Sequence, residues 1–401
     1  MNSMIRFFFI VGFMCFYQSL VAQTIDKQAL YSFVQLQNGS YQEALQALEE
    51  LNRKEPNPDF YFAQIEAAFH LQRYGEAIEL CNKLEKLKPN STLAFQTKIY
   101  LAIDDYKSAQ NSLLQNLKTL NKLPLFDLLN DKNYEKLVHT PFLDSILKSN
   151  VYTVSDKQIY RVQQLYQQQN YTEALFLVQE IISREENFHK AYFLHSKISN
   201  ALGDSRKALH MINKALEITR VPVEYYDQKA KLLIEKNNYA EALNIVKKII
   251  RKNPYHFPNY FLAAKLSYHL DYDDKATDLV NDLLAVDPDN PDVLILKARI
   301  LYKDNRYLKA LQTVNESFDI KKTKEQYELR GDIYSATGTW EYAVSDFSMY
   351  LDIEPFNGYI YAKKGYARFK NSDKSGACYD WEKGKRYGSI DAVRYWDKYC
   401  R

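Results

Sequence analysis

Glycine and cysteine are scarce in this chain, and both shortages exclude whole classes of site. The 401 residues include 11 glycines and four cysteines. The glycines form no dinucleotide-binding GxGxxG motif, no GxxxxGK[ST] phosphate loop and no GxSxG nucleophile elbow. The seven histidines include no HExxH pair, and no group of cysteine and histidine has the spacing of a zinc site. The sequence therefore predicts no catalytic residues, no cofactor and no metal.

An excess of charge of either sign is also missing. The chain has 53 lysines and arginines against 50 aspartates and glutamates, a net charge of +3. A nucleic-acid-binding protein would be expected to show a strongly basic surface. We therefore expect a protein or peptide partner and no nucleic acid.

The one long apolar run lies at the start of the chain. Residues 1–22 contain Arg6, an apolar stretch from Phe7 to Tyr17, and the small residue Ala22. This order is typical of a secretory signal, and the run is too short for a transmembrane helix. Cys15 lies within the run, whereas a lipoprotein cysteine would follow it. We expect cleavage near Ala22, no membrane span in the mature chain, and export to a periplasm or to the outside of the cell.

A segment with two helical patterns recurs along the rest of the chain. Its clearest copy, Val223 to His256, has two apolar periodicities separated at Asn237 and closed by Pro254. Each copy has a small residue in its second helix, here called the anchor: Ala44, Ala77, Ala109, Ala174, Ala208, Ala242, Ala276, Ala310, Ala343 and Ala377. Successive anchors are 32 to 34 residues apart, except for a step of 65 between Ala109 and Ala174.

Other residue types keep the same register. Twelve residues after the anchor stand Pro56, Pro89, Pro254, Pro288 and Pro355. Sixteen residues before it stand Tyr61, Tyr192, Tyr226, Tyr260, Tyr327 and Tyr361, and three before it stand Tyr41, Tyr74, Tyr106, Tyr171, Tyr239, Tyr307 and Trp340. Small residues let two helices approach closely while aromatic rings fill the flanks.

This register resembles the tetratricopeptide repeat (TPR) family, whose period is about 34 residues. The resemblance covers nearly the whole chain after residue 22. It implies an all-α fold, a solenoid of about ten helical hairpins wound into a superhelix, with N-terminal repeats at 23–120 and C-terminal repeats at 156–387. The residues 121–155 lack an anchor but are rich in apolar residues, and we interpret them as an atypical helical insert.

The chain is expected to end in a capping helix at 388–401, because an end repeat must cover apolar surface that no neighbour buries. The ending is similar to the C-terminal ends of TPR proteins in Gram-negative cell envelopes. Cys378 lies ten residues before Gly388 and Cys400 twelve residues after it. In an antiparallel hairpin this difference is roughly 3 Å of helical rise. A Cys378–Cys400 disulfide is predicted, and the alternative is two free thiols that pack together.

The resemblance also places a binding groove on the first helices of the repeats. The family's contact positions, carried over to this chain, give aromatic and basic residues in the middle repeats: Phe193, Lys197, Phe261, Lys265, Tyr268, Arg299 and Tyr302. Such a stripe suits a peptide with apolar anchors and some acidic character. The alternative is that several of these rings pack between neighbouring helices.

The predicted function is a non-enzymatic scaffold or adaptor that binds a partner protein or peptide in the cell envelope. A periplasmic holdase chaperone for secreted or outer-membrane proteins is the alternative, because it would use the same groove. A scaffold holds one folded partner, whereas a holdase binds many unfolded chains weakly.

Overall fold

The structure, a computed structural model, describes residues 26–120, 122–138 and 140–401. Within these residues all regular secondary structure is helical. The predicted secretory signal at 1–22, with Cys15, lies outside the described residues. No helix in the described part of the chain is long and apolar enough to cross a membrane.

The helices follow one another as antiparallel hairpins, one hairpin for each anchor alanine. The first three hairpins are α1 (Lys27–Gln37) with α2 (Tyr41–Lys54), α3 (Pro58–His70) with α4 (Tyr74–Leu87), and α5 (Leu93–Ala102) with α6 (Tyr106–Asn116). The insert contains α7 (Leu125–Asn130), a 3₁₀ helix (Lys132–Leu137) and α8 (Pro141–Lys148).

Seven hairpins and one further helix follow the insert. They are α9 (Val154–Gln167) with α10 (Tyr171–Arg184), α11 (His189–Ala201) with α12 (Ser205–Ile218), α13 (Val223–Glu235) with α14 (Tyr239–Lys252), α15 (Phe257–His269) with α16 (Asp273–Val286), α17 (Pro291–Lys303) with α18 (Tyr307–Ile320), α19 (Lys324–Ala336) with α20 (Trp340–Ile353), and α21 (Gly358–Lys370) with α22 (Lys374–Arg386). The last helix is α23 (Ile390–Tyr399). The predicted fold class, a repeat solenoid with a helical insert and a capping helix, is confirmed.

The anchor alanines explain why the hairpins close. All ten have no solvent-exposed surface. An alanine at a helix crossing keeps the two backbones close together, and the neighbouring aromatic rings then cover the crossing. A larger side chain at an anchor would push the two helices of its hairpin apart.

The turn inside each hairpin contains a residue with a positive φ angle, and the type of residue at that position varies from repeat to repeat. Five residues before the anchor, φ is positive in every repeat, at Gly39, Gln72, Asp104, Gln169, Gly203, Asn237, Asp271, Asn305, Gly338 and Ser372. Only three of these are glycine. Asn and Asp accept this conformation more readily than other side chains do, so a glycine-poor chain still makes the turn.

The insert is an ordered part of the core. Tyr134 has no exposed surface, and its hydroxyl donates to the carbonyl oxygen of Ala94 at 3.1 Å. Tyr152 is also buried, and its hydroxyl donates to the carbonyl oxygen of Leu123 at 2.8 Å. These rings join the insert to the apolar residues of α5 and α6 in one cluster. The insert therefore replaces a repeat while continuing the core.

The described structure divides into two compact units. The first comprises residues up to 236 together with 248–257, and the second comprises 237–247 and 258–401. A non-local contact in the first unit involves Tyr255. Its ring stacks on that of Phe33 at 5.0 Å between centroids, and Asn57 Nδ2 donates to its hydroxyl at 3.3 Å. The contact joins residues 198 positions apart.

The C-terminal helix covers the end of the second unit. Trp381 is fully buried among the rings of Phe369, Tyr395 and Tyr399. The Cα atoms of Cys378 and Cys400 are 5.7 Å apart, with the sulfur atoms within bonding distance. This Cα separation fits a disulfide. The pairing in the protein as it is made in the cell remains a prediction.

Reduction of this disulfide is expected to lower the free energy of unfolding of the C-terminal hairpins by about 3 kcal/mol. The bond closes a 22-residue separation, and a loop of that size removes conformational entropy from the unfolded chain. Urea unfolding with and without reductant measures the loss. A variant with both cysteines replaced by serine is the control. If reductant destabilises that variant as much as the natural chain, the effect does not come from this bond.

Candidate functional site

Phe193, one of the two predicted groove residues of the first unit, lines a cavity beside the insert. Phe193 is half-buried on α11, and its ring stacks on Tyr225 at 4.6 Å between centroids. Phe193 and Tyr225 line a cavity of about 250 Å³ together with Phe126 of the insert. Phe193 therefore packs against a neighbouring helix and also borders open space.

His189 belongs to the same cavity. Its Nδ1 lies 2.6 Å from the Tyr225 hydroxyl. Burial lowers the pKa of the His189 imidazole from its ordinary value, and the charge of Lys190 lowers it further. A neutral imidazole holding the Tyr225 hydroxyl fixes the ring that stacks on Phe193.

Lys197 lies one helical turn after Phe193. Its Nζ is 4.9 Å from the centroid of the Tyr166 ring and 5.7 Å from that of Phe193. Burial lowers the pKa of the Lys197 ammonium, and the charge of Lys231 lowers it further. No carboxylate in the described residues forms an ion pair with Lys197. A half-buried cation between two rings, without an acidic partner, is arranged to accept an acidic group.

A second and larger cavity also has Phe126 in its lining. It measures about 440 Å³, and Phe95, Phe126 and Tyr134 provide its aromatic lining. Asp127 lines both cavities. Its carboxylate has no hydrogen bond or ion pair among the described side chains, and burial together with the charge of Asp131 raises its pKa.

In the second unit, the predicted groove residues lie on α15 and α17. Lys265 is exposed, and its Nζ is 5.5 Å from the centroid of the Phe261 ring. The ring of Tyr268 has Lys303 Nζ 5.5 Å from its centroid and meets the ring of His269 at 5.7 Å, edge to face. Phe261 and Tyr268 thus each have a lysine over the ring.

Arg299 and Tyr302 lie next to a charged network formed by Glu328, Asp332 and Lys363. Burial raises the pKa of the Tyr302 hydroxyl, and the charge of Asp332 raises it further. The Nζ of Lys363 lies 2.8 Å from Asp332 Oδ2 and 2.9 Å from Glu328 Oε1. The acids of the ninth repeat are therefore paired by a lysine of the tenth.

The described residues contain no cluster of side chains suited to a metal ion. No group of three or more histidine, cysteine, aspartate or glutamate side chains in those ranges is placed to hold a metal ion. Asp287 and Asn290, which resemble the start of a calcium loop, form a turn in which the Asn290 side chain accepts from the Val293 backbone N–H at 3.1 Å. This is an N-cap of α17.

Two family models described as tetratricopeptide repeat match the chain, at residues 34–92 and 233–300. The chain contains tetratricopeptide repeats. Its hairpins and buried anchor alanines extend the same architecture beyond the matched residues. A TPR protein is in general a scaffold for protein interactions, and its partners are proteins.

Individual relatives agree with this family. A TPR repeat-containing protein of Methanocaldococcus jannaschii is 21% identical over 388 residues, covering 80% of this chain and 68% of the relative. The signal recognition particle subunit SRP72 of Caenorhabditis elegans is 36% identical over 112 residues, 27% of this chain and 16% of that subunit. The crystal structure of a tetratricopeptide repeat protein from Parabacteroides merdae has a TM-score of 0.53 and 17% identity, covering 62% of this chain and 99% of that one. At this identity the likeness concerns the fold.

The TPR register did not predict the unpaired carboxylate of Asp127 or the ion pairs of Lys363. Asp127 belongs to the insert, which has no repeat register, so the family's contact positions do not reach it. The ion pairs of Lys363 join side chains of successive first helices, 31 and 35 residues apart in the chain. Opposite charges about one repeat apart were the signal that could have predicted them.

Proposed function

We propose that this TPR protein is a non-enzymatic scaffold, exported to the cell envelope, that binds an extended segment of a partner protein along the first helices of its repeats. The observation that carries the proposal is Lys197, half-buried between Tyr166 and Phe193 without an acidic partner. The cavity beside Phe193 would accept an apolar side chain, and Lys197 would bind an acidic one. Export is supported by the sequence of residues 1–22 and by the cysteine pair.

This arrangement suits binding with little reorganisation. The aromatic rings are already fixed by stacking and by the hydrogen bond between His189 and Tyr225. A preformed surface avoids part of the entropy cost of ordering loops and side chains on association. Phe261, Lys265, Tyr268, Arg299 and Tyr302 would supply a comparable surface in the second unit.

A variant with Phe193→Ala and Lys197→Glu is expected to lose the native partner. The substitutions remove one wall of the cavity and reverse the charge that would meet the acidic group. The measurement is affinity purification of the tagged protein from native envelopes after mild crosslinking. A variant with Phe176→Ala and Lys207→Glu is the matched control, since both residues are exposed on second helices.

The outcomes of this purification separate the candidate functions. A single partner that is lost only from the Phe193 and Lys197 variant supports a dedicated adaptor with this interface. A single partner retained by both variants contradicts the assigned surface. Many weakly bound clients would replace the adaptor with a holdase. Export is tested on the same preparation, whose intact mass is expected to match a chain that begins near Gln23.

A further inference from the structure

We propose that the cavity between the insert and the third repeat is a binding site for a guanidinium group, and that it takes an arginine side chain of the partner segment. The inference rests on the proposed function only for the source of that arginine. The site is formed by α5, α7 and the 3₁₀ helix, so that residues of the insert face residues at the family's contact positions, such as Lys98 of the third repeat.

The cavity has the size and lining that such a side chain requires. Its volume of about 440 Å³ falls in the range of small-ligand pockets. Phe95 and Phe126, both half-buried, provide aromatic walls, and Tyr134, which is fully buried and fixed by its hydrogen bond to Ala94, completes the lining behind them without an exposed face. Flat cations bind favourably over aromatic faces.

The charges around the cavity favour a cation. Lys98 is the one positively charged side chain in the lining, and its Nζ already pairs with Asp131 at 2.7 Å. The same ammonium lies 5.3 Å from the centroid of the Tyr134 ring. Asp127, which is exposed to solvent, has no paired cation, so the lining carries a net charge of −1 from Asp127, Asp131 and Lys98.

The carboxylate of Asp127 can also accept two parallel hydrogen bonds from a single ligand group. The charged groups that influence its carboxylate are Asp131, which raises its pKa, and Lys98 and Lys190, which lower it. Its two oxygens have no other hydrogen-bond partner among the described side chains. A guanidinium presents two parallel N–H groups that match a carboxylate, whereas an ammonium does not.

The position of the site relates it to the predicted groove. Phe126 and Asp127 line both the guanidinium cavity and the cavity beside Phe193. An extended segment that places an apolar side chain against Phe193 can therefore place an arginine in the adjoining guanidinium cavity. We expect the partner segment to carry an arginine close to an apolar residue.

A short labelled peptide tests the site directly. The probe is fluorescein-Gly-Arg-Gly-Leu-Gly-amide, with binding to the full chain followed by fluorescence anisotropy. Replacing its arginine with citrulline keeps the shape but removes the charge, and is expected to weaken binding about tenfold, as loss of a close charge pair does. Replacing it with lysine is expected to give an intermediate affinity.

The protein variant Asp127→Asn is expected to weaken binding of the arginine peptide to the same extent and to leave the citrulline peptide unaffected. Asp144→Asn is the matched control, because Asp144 is an exposed aspartate of the same insert. Unchanged thermal unfolding of both variants shows that folding is preserved. The inference is overturned if the arginine peptide does not bind at millimolar concentration, if citrulline binds equally well, or if Asp144→Asn has the same effect as Asp127→Asn.

The purification experiment keeps this inference separate from the proposed function. Suppose that the native partner binds the Phe193 and Lys197 variant as well as it binds the natural chain, while the arginine peptide still requires Asp127. The proposed interface then fails and the guanidinium site stands. If the partner depends on Phe193 and Lys197 but the peptide shows no dependence on Asp127, the interface stands and the guanidinium site fails.

Discussion

Trp381→Ala is expected to lower the free energy of unfolding of the C-terminal hairpins by about 3 to 5 kcal/mol, the usual range for removing a fully buried tryptophan. The indole has no exposed surface and packs among Phe369, Tyr395 and Tyr399. Its Nε1 also donates to the carbonyl oxygen of Ala362 at 3.2 Å. The variant loses the ring contacts and the hydrogen bond from the indole to that carbonyl.

The site tolerates the indole only because residue 365 is glycine. A Cβ atom at Gly365 would lie 2.5 Å from Trp381 Nε1, which is closer than any real contact. The backbone of α21 and the indole therefore fit one another as a pair. Collapse of the cavity that alanine would leave is expected to be incomplete.

Hydrogen exchange with mass spectrometry is the suitable measurement, since repeat proteins can unfold in parts. Protection is expected to fall across α21, α22 and α23 and to change little in the first unit. Trp396→Ala is the control, because that indole is half-buried beneath Lys385 Nζ, 3.9 Å from its centroid. Equal losses from the two substitutions would contradict the assigned role of Trp381.

Lys363→Met is expected to destabilise the second unit by about 3 kcal/mol or more, because it leaves buried carboxylates without their cation. Lys363 is only 18% exposed, and its ammonium pairs with both Glu328 and Asp332. The Nζ also lies 4.4 Å from the centroid of the Tyr359 ring. Methionine retains most of the apolar stem, so the loss measures mainly the charge.

The effect is expected to depend on pH in a defined direction. Burial raises the pKa of Asp332 even with Lys363 present, and removing the lysine raises it further. The folded variant then binds a proton at a pH where the unfolded chain does not, so its stability rises as the pH falls from neutrality toward the ordinary aspartate pKa. The deficit relative to the natural chain should narrow over the same range.

Two further variants make the Lys363 experiment decisive. Adding Glu328→Gln and Asp332→Asn to Lys363→Met is expected to recover much of the lost stability, since no buried charge is then unpaired. Lys370→Met is the control, an exposed lysine whose loss is expected to cost less than about 0.5 kcal/mol. Urea unfolding midpoints compare all four proteins. A deficit that neither acid pH nor the added substitutions reduce would show that the ion pairs are not its cause.

The predicted fold depended on short-range features and was therefore accessible to sequence reasoning. The anchor alanine, the tyrosine three residues before it and the proline twelve residues after it all act within one hairpin or its immediate neighbour. Because a solenoid is built from such neighbour contacts, a register read in one repeat predicts the next. The insert was recognisable as ordered from its apolar residues, although its internal contacts were not.

The groove residues were predicted from the contact positions of the TPR family, and the structure shows which side chains surround them. Phe193 stacks on Tyr225 while it lines a cavity, and Lys197 has rings but no acid beside it. Their role in binding remains a prediction. Asp127 and the ion pairs of Lys363 were not predicted, because each depends on which side chains face one another between elements.

The sequence by itself determined the helical hairpins, their number, the interruption between Ala109 and Ala174, and the small residues at which the helices cross. Local periodicity and steric size suffice for these features. Only the tertiary structure decided that Tyr255 stacks on Phe33, and that Asp127 is left unpaired beside two cavities. Contacts of this kind join residues far apart in the chain, and their partners are set by the packing of whole elements, which no local pattern records.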